Sequence, residues 1–168
     1  IEAEKLIRLG NTRDDFHQLE DCDWVAEAVV ERLDIKQALY RQLNDVCEGT
    51  TIITSNTSTI PISLLTKGMP KKFCERFAIT HFFNPVRFMR LLELVRGEFT
   101  REDVINTLDM FSETMLGKGV VSCSDTPGFL ANRVGVFAIQ CALYKAFKYK
   151  LSPTEADAFF GRPLGLPK

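Results

Sequence analysis

A histidine and a glutamate stand in two short apolar segments of this chain. His81 lies near the end of residues 77–82, and Glu93 lies inside residues 91–95. If these segments are neighbouring strands joined by the loop 84–90, the two side chains can meet at one edge. A carboxylate behind an imidazole fixes its tautomer and stabilises the imidazolium that forms when the ring accepts a proton. The pair is a candidate general base; a structural histidine and a solvent-facing glutamate are the alternative.

Six small polar residues, Thr-Ser-Asn-Thr-Ser-Thr at positions 54–59, directly follow another apolar segment at 51–54. In open α/β sheets, ligands lie beyond the carboxyl ends of the strands, where hydroxyl groups can bind phosphate, ribose or a carbonyl. A capped turn that leads to a helix at Ser63 explains the same spacing. The sequence leaves both interpretations open.

Further charged and amide side chains stand beside predicted elements. Glu27 and Glu31 flank the end of the first predicted strand, and Lys36 lies in the first turn of the next predicted helix. A lysine there opposes the helix dipole, so we expect it to pair with Glu31 or a ligand, unless it lies on a solvated face.

Asn132 lies in the first turns of an otherwise apolar helix. If buried, it needs a partner, and a substrate carbonyl is one candidate.

The elements that must position these residues alternate along the chain. Short apolar runs predict strands at 24–30, 51–54, 77–82, 91–95 and 119–122. Helical spacing predicts helices at 34–46, with Asp34 as its cap, at 100–116, opened by Thr100, and at 129–147. A capping box at 152–155 predicts that one more helix starts at Ser152. The alternation favours an α/β fold with a parallel sheet covered by helices. We place a boundary between an α/β part, 1–124, and a helical part, 125–168.

Composition narrows the class of protein. The chain has 168 residues, of which 45% are hydrophobic and 26% are charged, which suits one globular domain and excludes disorder. A net charge of -1 provides no general field for nucleic acid or an anionic membrane, and no apolar run approaches the ~18 residues of a membrane span. Five cysteines without a C-x-x-C pair predict free thiols in a reducing compartment and no metal site.

Five motifs together closely resemble the L-3-hydroxyacyl-CoA dehydrogenases of fatty-acid β-oxidation. They are WVAEAVVE at 24–31, SNTS at 55–58, HFFNP at 81–85, LELV at 92–95 and DTPGFLANR at 125–133. The resemblance implies the C-terminal part of a Rossmann-type NAD-binding domain, 1–124, followed by the first helices of an all-α dimerisation domain, 125–168. It also implies oxidation of an L-3-hydroxyacyl-CoA to the 3-ketoacyl-CoA, with hydride transfer to NAD+.

The resemblance also implies roles for individual residues. His81 corresponds to the general base and Glu93 to the carboxylate that orients it. Ser58 corresponds to a hydroxyl that binds substrate, and Asn132 to an amide on the substrate side. The residues implied around the nicotinamide and its ribose are Glu31, Lys36, Ser58 and Asn84.

The implied partners are an acyl-CoA substrate, a second copy of the protein bound through the helical part, and a fused or associated enoyl-CoA hydratase. The implied location is the bacterial cytoplasm or a mitochondrial matrix. The chain contains no G-x-G-x-x-G turn, so we expect a fragment that lacks this turn and most of the C-terminal helical domain, and that is inactive alone. A crystallin-like structural or interaction protein on the same scaffold, and a related dehydrogenase for hydroxybutyryl-CoA, are the alternatives.

Overall fold

The structure, a computed structural model, describes residues 3–47, 49–161 and 163. It divides into two compact units, Ile1–Phe129 and Leu130–Lys168. The described part of the first unit contains a five-stranded sheet with helices on both faces, and that of the second contains two helices. The α/β part and the helical part expected from the sequence are therefore both present.

The strands lie side by side in chain order. They are β1 (Trp24–Glu27), β2 (Ile52–Ser55), β3 (Phe77–Phe82), β4 (Leu91–Arg96) and β5 (Gly119–Cys123). All neighbouring pairs are parallel except β3 and β4, which are antiparallel. The prediction of a parallel sheet is wrong for this pair. Only residues 83–90 connect the two strands, whereas a parallel pair needs a crossover of about a dozen residues or more.

Six α-helices lie in the described part of the chain. They are α1 (Leu33–Val46), α2 (Ile62–Leu65), α3 (Lys71–Glu75), α4 (Glu102–Thr114), α5 (Ala131–Lys148) and α6 (Pro153–Phe160). The capping box predicted at Ser152 is confirmed, because its hydroxyl accepts from the Glu155 amide and the Glu155 carboxylate accepts from the Ser152 amide.

Several predicted element ends are wrong. β1 ends at Glu27, because the pairing of β1 with β2 ends there and does not include residues 28–30. Asp34 does not cap α1 but lies inside it, where its carboxylate pairs with Arg32. Thr100 does not cap α4, because its hydroxyl donates to the carbonyl of Phe77 at 2.6 Å. α5 begins two residues late because Phe129 has a φ of 44°, in the left-handed region that interrupts a helix.

Two apolar clusters cover the two faces of the sheet. The larger cluster joins α1 and α3 to the sheet through Tyr40, Leu43, Phe73, Phe77 and Phe129, all buried. On the other face, the buried side chains of α4 pack against β3 and β4. Burial on both faces explains why the strands are nearly unbroken apolar runs.

The five cysteines are free thiols, of which Cys47 is buried and Cys141 is exposed. No helix in the described part of the chain has both the length and the hydrophobicity needed to cross a bilayer.

Replacing Ser112 with Ala is expected to stabilise the first unit. Ser112 is fully buried in α4, and its Oγ has no hydrogen-bond partner among the described residues. The change removes an unsatisfied hydroxyl and improves helix propensity, together worth about 1 kcal/mol. Denaturant unfolding of the wild type and Ser112→Ala measures the gain. A clear loss of stability would show that this hydroxyl has a partner.

Candidate active site

His81 and Glu93 meet across the antiparallel strands β3 and β4. They are directly opposite in register, and His81 Nδ1 lies 2.7 Å from Glu93 Oε2. Both residues are buried, at 5% and 0% exposure. This geometry confirms that the two side chains lie within hydrogen-bond distance. With Nδ1–H donating to the carboxylate, Nε2 is the nitrogen that can accept a proton.

Two aromatic rings contact the His81 imidazole. The Phe83 ring centroid lies 4.5 Å from it and that of Phe129 lies 5.6 Å from it. These contacts restrict rotation of the imidazole and limit the access of water to its pair with Glu93. On the other side of Glu93, Cys123 Sγ lies 3.8 Å from Oε1. These neighbours were not predicted from the sequence, although Phe83 lies in the motif at 81–85 and Phe129 in the motif at 125–133.

A second polar cluster surrounds Glu27 at the carboxyl end of β1. Glu27 Oε1 accepts from Lys36 Nζ at 2.7 Å and from the Val29 amide at 2.6 Å. Oε2 accepts from Tyr40 Oη at 2.6 Å and from Ser55 Oγ at 2.7 Å. Four donors therefore satisfy one fully buried carboxylate, which is the condition for burying such a charge.

Tyr40 and Ser55 were not predicted from the sequence as partners of Glu27. The available signal was the spacing of Lys36 and Tyr40, which are four residues apart and therefore share a face of α1. Ser55 joins the cluster because β1 and β2 are parallel, with Glu27 and Ser55 in register.

Lys36 connects this cluster to Glu31. Its Nζ lies 3.3 Å from Glu31 Oε2 as well as 2.7 Å from Glu27. Lys36 is only 1% exposed, so the interpretation as a solvated face is wrong. The expected pairing with Glu31 is confirmed, but Glu27 is the shorter contact because it is buried beside α1.

Glu31 in turn holds the turn that follows β2. Its Oε1 accepts from the hydroxyl of Thr57 and from the backbone amides of Ser58 and Thr59, at 3.1 and 3.4 Å. Burial raises the pKa of Glu31, but the hydrogen bonds from Thr57 and Ser58 and the charge of Lys36 outweigh it, so the pKa falls below its ordinary value. The ionised form is the one that the turn binds.

The stability that Glu31 contributes should therefore depend on pH. A lowered folded-state pKa stabilises the protein above the ordinary value of 4.5 and ceases to do so as the pH falls through the folded-state value. Glu31→Gln should be less stable than the wild type at neutral pH, and the gap should close in acid. Denaturant unfolding across that range checks this. A gap that stays constant would show that the charge of Glu31 is irrelevant to the turn.

The turn 54–59 is also tied to β3. Asn56 Oδ1 accepts from the Phe82 amide at 2.8 Å, next to His81 in the chain. Asp125 accepts from the Ile62 amide at 2.9 Å and so caps α2, which follows the turn. Because β2 and β3 are parallel neighbours, Ser58 and His81 lie at the same end of the sheet, where these two strands end.

The remaining predicted site residues lie in less constrained places. Asn84 is exposed in the loop after β3, where its bond to Pro85 is cis. Asn132 is half-buried in the first turn of α5, in the second unit, so the geometry of the first unit does not include it. The roles of all these residues stay predictions.

The arrangement places a buried histidine and several polar side chains at the carboxyl ends of β1, β2 and β3. The Glu31 side chain is 40% exposed, so a ligand can reach its carboxylate. A carboxylate accepts hydrogen bonds from hydroxyl groups such as those of a ribose. The Lys36 ammonium is 1% exposed and already contacts Glu27, Glu31 and the Val29 carbonyl, so it holds the Glu31 carboxylate in place and is not open to a ligand.

Comparisons with known proteins agree with this geometry. Residues 1–126 match the family model described as 3-hydroxyacyl-CoA dehydrogenase, NAD binding domain. A probable 3-hydroxyacyl-CoA dehydrogenase of Deinococcus radiodurans is 44% identical over 161 residues, covering 96% of this chain and 46% of that protein. A Rickettsia prowazekii relative assigned as a fatty acid oxidation complex trifunctional enzyme is 42% identical, covering 96% of this chain and 22% of its own length.

Among solved structures, 3-hydroxybutyryl-CoA dehydrogenase from Escherichia coli K12 aligns with a TM-score of 0.75 and 38% identity, covering 82% of this chain and 28% of that one. The chain thus spans less than half the length of these relatives. Their names favour a dehydrogenase over the crystallin-like alternative. The matched residues include the sheet, the His81 and Glu93 pair and the polar cluster of Glu27, Glu31 and Lys36, and the chain belongs to the 3-hydroxyacyl-CoA dehydrogenase family.

Proposed function

We propose that the protein carrying this chain oxidises an L-3-hydroxyacyl-CoA to the 3-ketoacyl-CoA, with hydride transfer to NAD+, in fatty-acid β-oxidation. The observation that carries the proposal is the buried contact of 2.7 Å between His81 and Glu93 beside the turn after β2. A base of this kind must lie within hydrogen-bond reach of the alcohol that it deprotonates. The family assignment supplies the matching substrate class.

In the proposed reaction, His81 Nε2 accepts the proton of the substrate hydroxyl. NAD+, when bound, would supply the hydride acceptor, and the carbon that carries this hydroxyl would become a carbonyl. Glu93 stabilises the resulting imidazolium because its Oε2 already accepts from Nδ1. Phe83 and Phe129 hold the ring in place during the proton transfer.

The chain's own residues would bind both ligands. Glu31, Ser58 and Asn84 would contact the nicotinamide and its ribose, and Lys36, buried behind Glu31, would hold that carboxylate in place. Ser58 and Asn132 would orient the substrate near the reacting carbon. Support for the first group comes from the exposed edge of Glu31 and from the contacts that hold Lys36 and the turn in place.

The further partners are part of the same proposal. We infer that α5 and α6 pair with a second copy of the protein, since apolar side chains on α5 such as Phe137 and Phe147 are 68% and 80% exposed. An associated or fused enoyl-CoA hydratase is supported by the trifunctional relative. A reducing compartment, the bacterial cytoplasm or a mitochondrial matrix, suits the free cysteines.

The proposal is tested on the full-length protein by following NADH formation. L-3-hydroxyacyl-CoA substrates of several chain lengths, from hydroxybutyryl-CoA upward, are compared with their D enantiomers and with NADP+ in place of NAD+. We expect turnover with the L enantiomers and NAD+. Failure of every substrate together with failure to bind NAD+ would instead support a structural or interaction protein on the same scaffold.

A further inference from the structure

The contacts of Glu27 and Glu31 form one continuous polar network. It runs from Tyr40 and Ser55 through Glu27 to Lys36, and from Lys36 through Glu31 to the turn that carries Ser58. Its inner end is buried, since Tyr40, Glu27 and Lys36 are each no more than 3% exposed. Its outer end reaches the surface at Glu31.

We propose that Glu27 and Tyr40 are positioning residues, which act on NAD+ binding through Lys36, Glu31 and the Ser58 turn. The inference rests on the proposed function, because it assigns residues to the binding of that same cofactor. Neither Glu27 nor Tyr40 needs to touch the ligand. Their role is to order the groups that do.

The inner end of the polar network, around Glu27, is rigid. Each Glu27 oxygen accepts two hydrogen bonds, so rotating the carboxylate would break them together. Tyr40 is itself held by ring contacts with Phe73 and Phe77, at centroid distances of 5.9 and 5.1 Å. The Lys36 ammonium therefore has a fixed anchor on one side.

The anchored Lys36 orders the groups at the surface end of the network. Lys36 holds Glu31 Oε2, while Glu31 Oε1 accepts from the amides of Ser58 and Thr59. Because these protein groups are already ordered, they lose less conformational entropy when a ligand binds the turn. Weakening the inner end should therefore lower affinity for NAD+ without moving the base, which lies on β3.

The test uses calorimetric NAD+ binding by the full-length protein and its Tyr40→Phe variant. This change removes one donor to Glu27 and keeps the packed ring. We expect a Kd for NAD+ about 3- to 10-fold higher, with a much smaller change in kcat. Ser55→Ala removes the other donor to Oε2 and also the acceptor of the Thr57 amide in the turn, so it should raise the Kd at least as much. Ser112→Ala, a buried hydroxyl outside the network, is the control and should leave the Kd unchanged.

A double-mutant cycle separates positioning from a general structural role. Tyr40→Phe and Glu31→Gln together should weaken binding by less than the product of their separate effects, because both act through the same turn. Independent effects, or wild-type affinity in both Tyr40→Phe and Ser55→Ala, would overturn the inference while the proposed function stands. If the wild-type protein binds no NAD+, the proposed function and the inference both fail.

Discussion

Replacement of His81 by Gln in the full-length protein should lower kcat by about 10²- to 10⁴-fold, the usual contribution of a general base. Glutamine retains a polar side chain but cannot accept the alcohol proton, whereas the binding groups on the neighbouring turn remain. KM should therefore change far less than kcat. Steady-state rates of NADH formation, measured at saturating NAD+, give both quantities.

The matched control for His81→Gln is the same substitution at His17. His17 is exposed in the short 3-10 helix Phe16–Asp21, well separated in sequence from the site. His17→Gln should keep wild-type kcat and KM. Wild-type turnover in His81→Gln would make His81 a structural residue.

Replacement of Lys36 by Met should destabilise the first unit by about 3 kcal/mol, because removing one partner of a buried ion pair leaves an uncompensated charge. Glu27 would remain fully buried, with only the Val29 amide, Tyr40 and Ser55 as donors. Methionine has a similar shape, so lost packing contributes little. The free energy of unfolding in denaturant gives the effect.

The double variant Glu27→Gln with Lys36→Met is the control for this assignment. It removes the buried negative charge as well, so it should be more stable than Lys36→Met alone. If the double variant loses the sum of the two separate effects, the cost of Lys36→Met does not come from the Glu27 charge.

The local parts of the site could be predicted from the sequence. His81 and Glu93 occupy two apolar segments that are joined by a short loop, and such segments pair as neighbouring antiparallel strands. The antiparallel register places the two residues directly opposite each other, so their side chains lie on the same face of the sheet. The turn after β2 could also be predicted, because a run of small polar residues directly follows a buried strand.

The network around Glu27 could not be predicted, because its partners come from different elements. Ser55 reaches Glu27 through the parallel register of β1 and β2, and Tyr40 reaches it from α1. The sequence pattern gives neither the register nor the rotation of the helix relative to the sheet. The same limit explains Thr100, whose hydroxyl bonds to a β3 carbonyl rather than capping α4.

The pH dependence of kcat/KM in the wild type and in His81→Gln tests directly whether His81 is the general base. This ratio reports the ionisation of essential groups in the free enzyme. If His81 is the base, the wild-type ratio falls on the acidic side as one group takes up a proton. The residual activity of His81→Gln should lack that fall, and its affinity for NAD+ should match the wild type. The same acidic fall in His81→Gln would show that another group is the base.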